Sequence, residues 1–197
     1  MKLTCTIQTD LKHAYLTPKI GVSSTADGSF LKQEAYDIAK DLGKEIVDQG
    51  GILVTGASSG FPYWAAQGAK QAGGLSIGYS PAISPKEHIE LYKLPLDYMD
   101  VISFTGFGFP GRDLIFTRSC DAIIIGPGRI GTIHEFTIAY EDEKPLGILQ
   151  SDGWETDSVL QMIIEKSHRV NPYIVFEKDP KVLVRKMMDL IRQKRGE

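Results

Sequence analysis

Short runs rich in Val and Ile alternate along this chain with longer stretches whose apolar residues recur at helical spacing, and few folds accept that alternation. The short runs, at 19–23, 52–55, 75–79, 100–104, 122–125, 146–149 and 173–176, predict strands buried on both faces. The longer stretches predict helices at 29–49, 62–72, 111–119, 131–141, 156–169 and 179–195. In the first of these Leu31, Ala35, Ile38, Leu42 and Ile46 share one stripe, and Gly50 with Gly51 supplies the stop. The segment 80–95 reads as a short helix with flanking loops. Strands joined by helical crossovers run parallel, so the expected fold is α/β: a Rossmann-like parallel sheet of about six to seven strands with helices on both faces.

A chain of 197 residues supports one substantial core, which predicts a single nucleotide-binding domain over 1–197 with residues 1–18 as an N-terminal extension. That extension either adds an edge strand or reaches a partner subunit. A net charge of -3 gives no general attraction to a phosphate backbone, so no nucleic-acid polymer is expected as partner. The basic run of Arg185, Lys186, Arg192, Lys194 and Arg195 spreads around a helix and reads as a solvated face. Cys5 and Cys120 stand far apart, and His13, His88, His134 and His168 are scattered, so no metal site is expected. No apolar run spans a bilayer and the N-terminus lacks an apolar signal core, which predicts a cytoplasmic protein without a membrane partner.

Three glycine-bearing turns follow strands directly: 56–60, 106–111 and 126–132. Ligands of open parallel sheets bind beyond the carboxyl ends of the strands, where helix N-termini favour anions and glycine allows close approach. The expected phosphate or nucleotide contacts are Gly56, Ser58, Ser59, Gly60, Gly126, Gly128, Arg129, Ile130, Gly131 and Thr132. Ser58 and Ser59 suit capping the next helix better than contacting phosphate. Phe61, Tyr63 and Trp64 suit base stacking, or a place in the core or at a subunit interface.

The stretch from Gly111 to Glu141 resembles the LOG ("lonely guy") family, also described as possible lysine decarboxylases, within a Rossmann-like group that includes molybdenum-cofactor carrier proteins. Pro127, Gly128, Gly131, Thr132 and Glu135 match the family's PGGxGTxxE motif, and the resemblance covers about Lys19 to Leu149. Two positions depart from it: Arg129 stands where the motif has glycine, and Asp113 follows Arg112 where the family has lysine. The resemblance implies a nucleoside 5′-monophosphate phosphoribohydrolase and a homodimer or higher homo-oligomer with its site near the subunit interface. The helix from Phe61 to Ala72 is a candidate contributor to that interface.

Cleaving an N-glycosidic bond develops oxocarbenium character, which a nearby carboxylate can stabilise, or it can activate water. Glu135 fits that role, with Arg112 holding phosphate or orienting Glu135, so the two form the candidate catalytic pair. His134 projects about 100° away from Glu135 and reads as peripheral, and Cys120 as an inert small hydrophobe. Two readings stay open. One is a hydrolase releasing base and ribose 5-phosphate, without a cofactor; the other is a carrier that holds a nucleotide, or the molybdenum cofactor, as its cargo. A dinucleotide-dependent oxidoreductase is disfavoured, because no GxGxxG follows the first strand and Thr55 ends the second where an acid is wanted.

Overall fold

The computed structural model describes residues 16–196; the expectations placed on residues 1–15, Cys5 and His13 among them, lie outside these. The elements run β1 (Lys19–Ser23), α1 (Gln33–Asp48), β2 (Ile52–Thr55), α2 (Phe61–Gln71), β3 (Ser76–Ser80), α3 (Pro85–Glu90), β4 (Val101–Phe104), α4 (Gly108–Ser119), β5 (Ala122–Ile125), α5 (Ile130–Glu141), β6 (Leu146–Leu149), α6 (Thr156–Lys166), β7 (Ile174–Glu177) and α7 (Pro180–Arg195). All sheet pairings are parallel, in the order β4-β3-β2-β1-β5-β6-β7.

Alternation along the strands divides the core in two. In β5, Ala122 and Ile124 face the cluster built with α1, α2 and α7, while Ile123 and Ile125 face Phe116, Phe136 and Leu160 of α4, α5 and α6. Both faces are covered, which is why the central strands read as continuous apolar runs. β4 is an edge strand, with Val101 exposed.

Several boundaries differ from the expectation for identifiable reasons. The first helix starts at Gln33 rather than 29, because 24–32 forms a loop whose Asp27 accepts from the Ser29 N–H. The fourth starts at Gly108, so the glycine turn 106–111 is mostly the first turn of α4. The sixth ends at Lys166, since Ser167 turns the chain by bonding to the backbone of Arg169, and His168 has a positive φ of 53°. β3 and β7 each lie one residue later than expected.

The crossing of α1 and α2 is close: a Cβ at Gly43 would stand 1.8 Å from the Ala65 carbonyl oxygen, and one at Gly68 would stand 2.0 Å from that of Lys40. α2 therefore spends its apolar face on α1 within the chain. Among the described residues no helix is long and apolar enough to cross a membrane.

Candidate functional site

The sheet order reverses between β1 and β5, so the loops after those strands part and leave a crevice beyond the carboxyl ends. Its walls are tied together. The Thr25 N–H donates to the Pro127 carbonyl (2.8 Å), as does the Ser24 hydroxyl (2.5 Å), and the Phe61 N–H donates to the Thr25 carbonyl (3.1 Å). The crevice opens into a cavity of about 550 Å³, within the size range of nucleotide and cofactor pockets.

Arg112 lies at the floor, with its side chain only 9% exposed. Its Nη1 is 3.4 Å from Glu135 Oε1 and its Nε is 3.4 Å from Asp113 Oδ1, yet Nε makes no hydrogen bond. The guanidinium rests on Gly56, where a Cβ would stand 1.7 Å from Nη1. Gly56 thus makes room for a cation, a different task from a direct phosphate contact.

The Ser23 hydroxyl donates to Glu135 Oε2. Burial is the main force pushing the Glu135 carboxyl up, to about 8; Arg112 opposes the shift and Asp113 adds to it. One guanidinium faces two buried carboxylates, so near neutral pH the group holds a proton. His134 Nδ1 lies 3.0 Å from Asp113 Oδ2, behind the cavity wall rather than in it.

The start of α5 forms the opposite wall. Arg129 precedes it without a side-chain cap, and Arg129, Ile130, Gly131 and Thr132 line the cavity. The first N–H groups of a helix have no intrahelical partners and carry its positive dipole end. Arg129 Nη2 sits 3.1 Å from Asp27 Oδ2, near the mouth, and its guanidinium stacks on Phe30 at 5.6 Å.

The structure thus brings together Glu135, Arg112, Gly56, Ser58, Ser59, Arg129, Ile130, Gly131 and Thr132. Gly60, Gly126 and Gly128 stand behind that wall. Gly60, at φ 72°, packs on the Thr25 and Ala26 backbone, Gly126 on Ser24 and Phe61, and Gly128 under the Thr132 side chain, strapped by the Thr156 hydroxyl. Ser59 donates to the Ala26 carbonyl and caps nothing. Phe61 is fully buried; Tyr63 stacks on Trp64 and Tyr98, away from the cavity floor. Burial pushes the Cys120 thiol up to about 12, which keeps it unreactive.

Sequence reasoning missed Ser24, Thr25 and Asp27, although they directly follow the first strand and the carboxyl-end rule points at them. It also missed Tyr92, Lys93, Leu94 and Phe109. The first three of these are brought in by the loop after α3, which His88 pins. Its Nδ1 lies 2.8 Å from the Ser80 hydroxyl and its Nε2 lies 3.0 Å from the Pro95 carbonyl. No short motif announces such a wall. Among the described residues no cluster of His, Cys, Asp and Glu could hold a metal ion.

The SLOG cluster4 family model (LDcluster4) matches residues 17–184. An uncharacterized protein of Archaeoglobus fulgidus is 34% identical over 118 residues, which span 60% of this chain and 72% of that protein. The molybdenum cofactor binding protein of Rippkaea orientalis is similar in structure, with TM-score 0.69 and 27% identity over 92% of this chain and 99% of that one. The molybdenum cofactor carrier protein of Chlamydomonas reinhardtii has TM-score 0.67 and 28% identity, over 89% and 99%. DNA processing protein A of Helicobacter pylori, which binds single-stranded DNA, shares the fold alone, with TM-score 0.62 and 17% identity over 88% and 81%.

Proposed function

This chain belongs to the SLOG cluster4 family, and on that premise we propose that it binds a phosphorylated, nucleotide-like small molecule and holds it as cargo. The observation that carries this reading is Arg112: a buried guanidinium, one of whose N–H groups has no acceptor, at the floor of a cavity walled by a helix N-terminus. A phosphate there pairs with the guanidinium charge and accepts from the α5 N–H groups. Apolar Tyr92, Leu94, Phe109 and Ile130 provide surface for a flat ring system. The phosphate and pterin of the molybdenum cofactor fit both features, and two structural neighbours are proteins of that cargo class.

Holding is favoured over hydrolysis because Glu135 is committed. It accepts from Ser23, faces Arg112 and retains a proton near neutral pH, so it is a poor base for activating water. The phosphoribohydrolase reading keeps one specific support: a protonated carboxyl on the cavity wall can act as general acid toward a departing base. We further propose that the chain works as a single domain in the cytoplasm and as a homo-oligomer. Val101, Phe107, Phe109, Leu114 and Ile130 offer exposed apolar surface for a subunit contact.

The test pairs binding with turnover. AMP, GMP, CMP, UMP and a pterin phosphate at millimolar concentration are expected to raise the melting temperature, because a ligand of the native state stabilises it. Arg112→Ala is expected to weaken binding by about 1.5–3 kcal/mol. Release of ribose 5-phosphate by the wild type, lost about 10²-fold in Glu135→Gln with affinity preserved, would replace the carrier reading with the hydrolase one.

A further inference from the structure

Arg129 is a weakly held cation of the cavity. Its side chain is 64% exposed, its carboxylate contact is Asp27, itself 42% exposed, and pairs of that kind contribute little and exchange readily. Asp27 has another occupation, accepting from the Ser29 N–H at 2.9 Å. Arg112 is the reverse case, buried and fixed by Gly56, Asp113 and Glu135.

Arg112 and Arg129 line the same cavity. Arg112 touches Glu135, one and a half turns into α5, whereas Arg129 immediately precedes the helix. Arg129 and Glu135 stand six residues apart, roughly 9 Å along the axis at the backbone. The N–H groups of Ile130, Gly131 and Thr132 lie in the first turn, at the Arg129 end. Asp27 occupies Arg129 as an internal anion. A ligand carrying a second linked anionic group can displace Asp27 and take both cations.

We propose that Arg129 reads a second anionic group, so that the cavity prefers a nucleoside diphosphate or another ligand with two linked phosphate-like groups over the corresponding monophosphate. This rests on the reading of the Arg112 cavity as a phosphate site. Arg129 stands where the LOG motif that this stretch resembles has glycine. Lys93, at the same mouth with a positive φ of 55°, is a second cation the extended ligand passes.

The experiment is calorimetric titration of the full chain with AMP, ADP, orthophosphate and pyrophosphate, for wild type, Arg129→Gly and Asp27→Asn. Wild type is expected to bind ADP about tenfold or more tightly than AMP, and pyrophosphate likewise over orthophosphate, the order of one charge-assisted contact. Arg129→Gly is expected to collapse both ratios to near one, and Asp27→Asn to raise ADP affinity a fewfold by removing the competitor. Both positions are exposed, and melting curves without ligand verify that the variants fold. AMP binding with no ADP preference, or a preference that survives Arg129→Gly, overturns the inference while leaving the phosphate site standing. Failure of all four probes to bind wild type overturns the phosphate site and the inference together.

Discussion

Gly56→Ala tests the construction of the site without touching a charged residue. The added Cβ would lie 1.7 Å from Arg112 Nη1 and 2.7 Å from Cζ, so the guanidinium must leave its place. Leaving separates it from Glu135 and Asp113, both now 3.4 Å away. Breaking a buried ion pair by losing one partner costs about 3–5 kcal/mol. Here the contacts are long and Glu135 can retain its proton, so about 2–3 kcal/mol is expected. Urea denaturation reads this as a lower midpoint at unchanged m-value. In an Arg112→Ala background the obstruction is gone, and the same substitution should cost less than about 0.5 kcal/mol, a coupling that a double-mutant cycle isolates. An equal cost in both backgrounds, or a negligible cost in the wild type, would refute the claim that Gly56 exists to seat Arg112.

The Glu135 carboxyl is raised on folding, to about 8, so its contribution is fully present below its unfolded value near 4.5 and is lost as pH rises through about 8. Glu135→Gln should therefore gain stability relative to wild type between pH 5.5 and 9 in denaturant titrations; a constant difference would contradict the buried proton. Gly43→Ala drives a Cβ into the Ala65 carbonyl and should cost about 3 kcal/mol, whereas Gly131→Ala, with nothing within 4 Å, should change stability by less than about 0.5 kcal/mol. Thermal or urea unfolding compares the two directly. His88→Ala removes a fully buried ring with a partner on each nitrogen, and about 3 kcal/mol of destabilisation is expected, with faster amide exchange in 81–95.

The strands were legible because the central strands are buried on both faces and the apolar period changes between elements; the strand order, and with it the switch point, was not. The floor of the cavity was legible too: Arg112 and Glu135 stand in one motif-bearing stretch, and the structure places them 3.4 Å apart. Glycines misled where the reason for glycine differed from the one inferred. Gly56 seats Arg112, while Gly60 and Gly128 accommodate neighbouring loops rather than the cavity. The Asp27–Arg129 pair joins residues 102 positions apart in sequence, and Asp113–His134 joins two helices, so neither follows from local spacing. The α3 loop reaches the site only because His88 folds it back, a tertiary cause with no signature in the run 80–95. The close packing of α2, the candidate interface helix, on α1 through Gly43 and Gly68 is likewise tertiary.

The most direct test of the central claim is a crystal structure of the protein soaked with AMP. The phosphate is expected against the N–H groups of Ile130, Gly131 and Thr132 and within hydrogen-bond distance of the Arg112 guanidinium, with Arg129 still on Asp27 and the base against the Tyr92, Leu94 and Phe109 wall. A ligand bound elsewhere, with the Arg112 corner filled only by water, would contradict it.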